Sequence, residues 1–141
     1  MKPVVIDASA AASWLIETQS TTASDLFLAD RADYVFMAPG IFEWEVLNLM
    51  VSKARRGSLS LQAGLAALRT LRISVEPPKT SEDVVDLGAV ALETGLSLFD
   101  ADYLALALQT DAAIASRDRD LLDAARSHGV AVHDLRDRPL S

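Results

Sequence analysis

PVVIDASAAASWLI, residues 3–16, joins a short valine-rich apolar run to an alanine-rich stretch. The run PVVID reads as a buried strand, because β-branched residues without polar alternation suit a strand covered on both faces. Ser9 stands just before AAASWLI and is expected to cap a helix there. On that reading Asp7 ends the strand with no helix of its own to cap, so an acid is left at the rim of the sheet without a local structural purpose.

The alternation of strand and helix continues outward from this stretch. A second helix is expected over about 22–32, and YVFMA, 34–38, reads as a strand. Pro39 opens a helix over about 40–56 that Gly57 closes, the usual order of proline at the start and glycine past the end. Another helix is expected over about 60–72, followed by the extended piece ISVEPP at 73–78. Thr80 starts a helix to about Thr94, with Gly95 as its stop and a loose capping box from Thr80 to Asp83. Helices are further expected over about 101–109 and from Asp118 to about His128, with strands at AAIAS, 112–116, and VAVHD, 130–134. Apolar strands alternating with helices predict a three-layer α/β/α sandwich with a small central parallel sheet, in a single domain spanning 1–141. RDRPLS at the end of the sequence reads as a polar tail.

Composition narrows the chemistry. The 141 residues include no cysteine and only two histidines, His128 and His133. Disulfides, zinc–cysteine sites and thiol catalysis are excluded, and chemistry falls mainly to carboxylates. No apolar run approaches the ~18 residues of a membrane span, and Met1-Lys2 leads straight into PVVID without a secretory h-region. A cytoplasmic protein with no membrane role is the expectation. The 50 % hydrophobic content suits a buried interface as well as a dense core. The net charge of −7 disfavours simple electrostatic binding of nucleic acid. Yet no acid occurs between Glu45 and Glu76, a stretch that carries Lys53, Arg55, Arg56, Arg69 and Arg72. That stretch is either a solvated basic face or a grip for polyanions.

Four acids stand out by position. In an open parallel sheet, ligands bind beyond the carboxyl ends of the strands, where the strand order reverses. Asp7 ends the first strand, Asp118 follows AAIAS, and Asp100 follows LSLF at the start of a helix. Asp100 and Asp118 could each simply cap a helix. Glu45 lies in PGIFEWEVLNLM, with Asn48 one turn on, and Ser52, Arg55 and Arg56 continue the same side towards a basic end. Acids gathered at one rim repel one another unless cations are present. An oxygen-only donor set suits a hard cation, Mg²⁺ or Mn²⁺.

VIDASA, APGIFEWEVLNLM, LFDADYLALA and ASRDRDLL, in that order over residues 3–122, resemble the four signature blocks of PIN-domain ribonucleases. They most resemble the VapC-type toxins of bacterial toxin–antitoxin modules. The resemblance implies a metal-dependent endoribonuclease, the toxin of a type II toxin–antitoxin system, with a catalytic and metal-binding set of Asp7, Glu45, Asp100 and Asp118. Ser9, Asn48 and Ser116 would orient the carboxylates or water. Ser116-Arg117-Asp118 stands where the family commonly has Thr-x-Asp, which keeps a hydroxyl. Asp102 and Asp120 match no essential family position and are read as first-turn acids that favour the helix dipole. Arg55 and Arg56 are expected to contact RNA phosphates. The resemblance also implies RNA as substrate (tRNA is frequent), a cognate antitoxin and a homodimer. Trp14, Leu15 and Trp44 are candidates for antitoxin contact. The alternatives are a catalytically inactive PIN-like binding scaffold and an aspartate-dependent phosphatase. The phosphatase's second aspartate, two residues after the first, is Ser9 here.

Overall fold

The computed structural model describes residues 1–137. Strands β1 (Lys2–Ile6), β2 (Tyr34–Ala38), β3 (Ser74–Val75), β4 (Ala113–Ser116) and β5 (Val132–Asp134) form one sheet in the order β3-β2-β1-β4-β5. Every pairing is parallel, with Val5 opposite Met37 on one side of β1 and Ile114 on the other. Helices α1 (Ala8–Leu15), α2 (Thr22–Ala29), α3 (Ile41–Arg55), α4 (Leu61–Thr70), α5 (Ser81–Thr94), α6 (Leu98–Thr110) and α7 (Arg119–Ser127) complete the α/β/α sandwich.

The central strands are apolar because both their faces are covered. Val4, Val5, Ile6, Phe36 and Ile114 are essentially inaccessible, and Phe42, Met50, Leu104 and Leu121 reach them from α3, α6 and α7. At roughly 25 cal/mol per Å² of apolar surface, a side chain such as Ile6 or Phe36 stabilises the fold by about 1.5–3 kcal/mol. Trp14 stacks at 5.6 Å on Phe36 and at 6.1 Å on Phe27, and its Nε1–H donates to the Ser24 carbonyl. It belongs to the packing, as does Leu15, which lies against the core. Of the three candidates for partner contact only Trp44 stands in solvent, 77 % exposed.

The structure revises two helix starts. Asp7 does cap a helix: α1 begins directly after β1, and the Asp7 carboxylate accepts the Ala10 N–H. Ser9 lies inside α1, so the cap expected of it falls to Asp7. The first helix thus leaves β1 without a loop, a turn short enough for an aspartate to bridge. Helix α6 begins at Leu98, three residues earlier than expected, because the Ser97 hydroxyl accepts the Asp100 N–H at 3.1 Å. Asp100 is therefore in the first turn rather than at the cap. Asp102 falls beyond that turn and is buried, with Lys79 Nζ 3.0 Å from its Oδ1 but off the hydrogen-bonding direction. Its role is an ion pair between α6 and the segment before α5, not a dipole contact. Asp120 is where it was expected, in the first turn of α7.

Other boundaries shift less. Gly57 and Gly95 close α3 and α5 with φ of +73°, which a side chain would strain. The extended piece at 73–78 pairs over only two residues, since Pro77 and Pro78 cannot donate to a ladder. At the other end, Arg136 pairs with Asp134, and Asp137 accepts the Thr22 N–H at 3.0 Å. The remainder of the expected polar tail, 138–141, lies outside the described residues.

Candidate active site

From β1 the chain moves outward through β2 to β3, then returns to build β4 and β5 on the other side. The strand order therefore reverses between β1 and β4, and their carboxyl ends form the crevice where open parallel sheets bind ligands. Asp7 leaves β1 there, and its N–H donates to the Ala115 carbonyl at 3.3 Å. Ser116, Arg117 and Asp118 leave β4 beside it. Helices α3 and α6 carry Glu45 and Asp100 near their amino ends on the same side.

Asp7 is held on every side. Its Oδ1 accepts the Ser9 hydroxyl and the Ala10 N–H, both at 2.8 Å, and its Oδ2 accepts the Ser116 hydroxyl. Ser116 Oγ in turn accepts the Asp118 N–H at 2.8 Å. Asp118 caps α7, with Oδ1 accepting the N–H groups of Asp120 and Leu121. Each carboxylate oxygen has two lone pairs, so Asp7 Oδ2 and the second oxygen of Asp118 keep acceptor capacity. On the opposite wall the buried Tyr103 hydroxyl donates to Glu45 Oε1 at 2.7 Å. Tyr103 lies one helical turn after Asp100, so one face of α6 presents both.

The electrostatics tie the four acids together. Burial pushes the Asp7 carboxyl up to about 6, against the lowering hydrogen bonds from Ser116, Ala10 and Ser9, and Asp118 pushes it further up. Asp100 also rises to about 6, through burial and then repulsion from Asp118 and Glu45. Burial and the Glu45 carboxylate raise the Tyr103 phenol, so it remains a donor. Among the described residues the ion pairs join Lys79, Arg119, Arg126 and Arg136 to other acids, and none involves Asp7, Glu45, Asp100 or Asp118. The cleft thus concentrates negative charge with no close ion pair among the described residues, although Arg136 feels the charge of Asp118.

That chemistry fits a hard divalent cation. Among the described residues no three acids stand close enough to enclose one ion directly. Mg²⁺ commonly takes only one or two protein carboxylates and keeps several waters, so a set coupled through space but not closed into a cage suits it.

The structure places the hydroxyls of Ser9 and Ser116 in hydrogen bonds to Asp7. Asn48 is not joined to the acids: it is exposed on α3, in a groove of about 570 Å³ with Trp44, Leu47, Val51 and Arg55. Arg55 borders that groove, whereas Arg56 ends α3 in solvent. The contacts of Tyr103 and Arg117 are not foreseen from the sequence. Tyr103 carries a signal, its place one turn after Asp100; Arg117 carries none.

The family model described as PIN domain matches residues 4–127. No curated protein matches the chain by sequence. Among solved structures, PAE2754 from Pyrobaculum aerophilum is similar over 93 % of this chain and 89 % of its own, with 21 % identity and a TM-score of 0.68. VapC20 from Mycobacterium tuberculosis, described as a sarcin–ricin loop cleaving toxin, is similar over 86 % of this chain and 94 % of its own, with 18 % identity and a TM-score of 0.62. FitAcB from Neisseria gonorrhoeae is similar over 93 % of this chain and 96 % of its own, with 19 % identity and a TM-score of 0.54.

Proposed function

The chain belongs to the PIN-domain family, and on that ground we propose that it is a Mg²⁺- or Mn²⁺-dependent endoribonuclease, the toxin of a type II toxin–antitoxin pair. The observation that carries the reading is the cleft at the β1–β4 switch point, where burial and the neighbouring acids raise the Asp7 and Asp100 carboxyls and, among the described residues, none of the four acids forms an ion pair. VapC20 supplies a precedent for RNA cleavage on a similar fold.

The proposed reaction is hydrolysis of an RNA phosphodiester. Asp7 and Asp100 would hold the cation, with Glu45 and Asp118 directing its waters or a second ion. When bound, Mg²⁺ or Mn²⁺ supplies Lewis acidity that makes water a better nucleophile and offsets charge on the phosphoryl oxygens. Ser9, Ser116 and the Ala10 N–H fix the Asp7 carboxylate, so its orientation costs nothing when substrate arrives. The Tyr103 hydroxyl fixes Glu45 in the same way. Asn48 and Arg55, together in the groove along α3, would meet the RNA strand as it leaves the cleft, and Arg56 would extend that contact. A cognate antitoxin and a second copy of the chain are the proposed protein partners. Exposed Trp44 and Phe99, beside the acids Glu45 and Asp100, are the apolar surface such partners would cover.

RNA cleavage in Mg²⁺ or Mn²⁺, with chelator and Asp7→Asn as controls, tests the reading. Metal-dependent cleavage lost in Asp7→Asn supports it; cleavage that survives both controls refutes the metal mechanism, and its absence under all conditions favours the scaffold alternative.

A further inference from the structure

Arg117 sits between Ser116 and Asp118, yet the acidic cleft makes no use of its charge. Its backbone N–H donates to Ser9 Oγ at 2.9 Å, and Ser9 Oγ donates onward to Asp7 Oδ1 at 2.8 Å. Its guanidinium reaches the other way. Nε donates to the Ser9 carbonyl at 3.0 Å, Nη1 to the Gln19 carbonyl at 3.1 Å and Nη2 to Gln19 Oε1 at 2.6 Å. All these acceptors are neutral, and among the described residues Arg117 forms no ion pair.

One residue therefore ties three pieces of chain together: the corner from β4 into α7, the first turn of α1, and the 3-10 turn Glu17–Gln19 that follows α1. The first and last are 98 residues apart in sequence. A guanidinium is a planar fork whose donors stand in fixed relation, so gripping three oxygens sets position and angle at once, which a lysine could not do. The acids lie on either side of this staple. Asp7 precedes α1 by one residue, and Asp118 follows Arg117 directly.

We infer that Arg117 is a positioning residue for the acidic cleft: its side-chain fork fixes the first turn of α1 against the β4–α7 corner, and through them the Asp7 carboxylate against that of Asp118. The kinetic consequence rests on the nuclease reading above; the geometric one does not.

The test compares the parent protein with Arg117→Ala, Arg117→Lys, Gln19→Ala and the double variant Arg117→Ala/Gln19→Ala. Amide hydrogen exchange at Ala10, whose N–H is held by Asp7, reads the geometry with no metal or RNA present. Exchange at Ile114, bonded to the Ala131 carbonyl in the sheet, controls for general loosening. In Arg117→Ala, exchange at Ala10 is expected to quicken about tenfold while Ile114 is unmoved, the mark of a local opening. Mn²⁺ affinity and kcat are expected to fall about 10- to 100-fold, as when the supports of metal ligands are removed, with KM within about twofold. Arg117→Lys should behave as Arg117→Ala, because charge without the fork does not restore the grip. The double variant should lose no more than Arg117→Ala, since the two residues share one contact. If Arg117→Ala fails to fold, Gln19→Ala, which removes only the Oε1 contact, should show the same changes in smaller degree.

Unchanged exchange at Ala10 would overturn the inference. So would full activity in Arg117→Lys, or a rise in KM alone with Gln19→Ala silent, which would make Arg117 a direct contact to RNA phosphate. Should the parent protein neither bind Mn²⁺ nor cleave RNA, it is the nuclease reading that fails, and exchange at Ala10 still decides the role of Arg117.

Discussion

The Tyr103 hydroxyl donates to Glu45 Oε1 at 2.7 Å, which joins α6 to α3 on one wall of the acidic cleft. The two residues are 58 positions apart, and the ring of Tyr103 is almost wholly buried, so the bond fixes the two helices of that wall to each other. Tyr103→Phe keeps the packing and removes only the donor. It is expected to lower stability by about 0.5–1.5 kcal/mol and kcat for RNA by about tenfold, with KM little changed. Urea unfolding and steady-state cleavage check both; unaltered kcat would show that Glu45 needs no support.

Asp7 makes the metal-free fold less stable than it would otherwise be. Its carboxyl binds a proton more tightly when folded, near pH 6, than at an ordinary carboxylate value of 3.8. Folding therefore takes up a proton between those values, and stability falls as pH rises through that window, the loss being complete above about pH 6. Asp7→Asn removes the charge and keeps the size. Without metal at pH 7.5 it is expected to be more stable than the parent, by the order of 1–3 kcal/mol, and the advantage should vanish near pH 4. Thermal unfolding at the two pH values, in chelator, checks the sign.

Protons and metal compete for the same oxygens. Asp7 and Asp100 each rise to about 6 in the metal-free protein, so protonation empties the site below that pH. The gain in melting temperature from saturating Mn²⁺ is expected to be large at pH 7.5 and nearly absent at pH 5. A gain equal at both values would place the ion elsewhere.

The basic end of α3 is expected to act on binding rather than chemistry. Arg55→Ala and Arg56→Ala should weaken RNA binding in a salt-dependent way. Each should flatten the slope of log K against log salt by about 0.7 for every phosphate of a single strand that the arginine had neutralised. Binding measured across a salt series, in the presence of chelator, isolates this from cleavage. An unchanged slope in both variants would remove the arginines from the interface.

Much of this architecture is legible in the sequence for a simple physical reason. A strand buried on both faces must be apolar throughout, so PVVID and YVFMA announce themselves, and β2 occupies the very residues expected of it. Asp7 and Asp118 can be picked out because they closely follow apolar strands, whereas Glu45 and Asp100 lie in helices and stand out through the motifs around them. What escapes is local hydrogen bonding. The sequence reading denies Asp7 a capping role because it puts a loop between β1 and α1, where the chain turns directly into the helix. It starts α6 too late, although Ser97-Leu-Phe-Asp100 has the spacing of a capping box. Asn48 looks like a partner for Glu45 by helical spacing alone, but the partner comes from another helix, as Tyr103. Arg117 cannot be foreseen, because its three side-chain acceptors are two main-chain carbonyls and a distant glutamine, and carbonyls have no sequence.

Asp7 and Asp100, coupled with Glu45 and Asp118 at the β1–β4 switch point, are the proposed holders of a divalent cation, and every catalytic role above depends on that ion. Titration of Mn²⁺ into the protein at pH 7.5, followed by electron paramagnetic resonance, tests it without RNA. Binding by the parent protein that weakens at least tenfold in both Asp7→Asn and Asp100→Asn is the result expected for first ligands of the ion. Equal binding by all three proteins would rule these two aspartates out as its ligands.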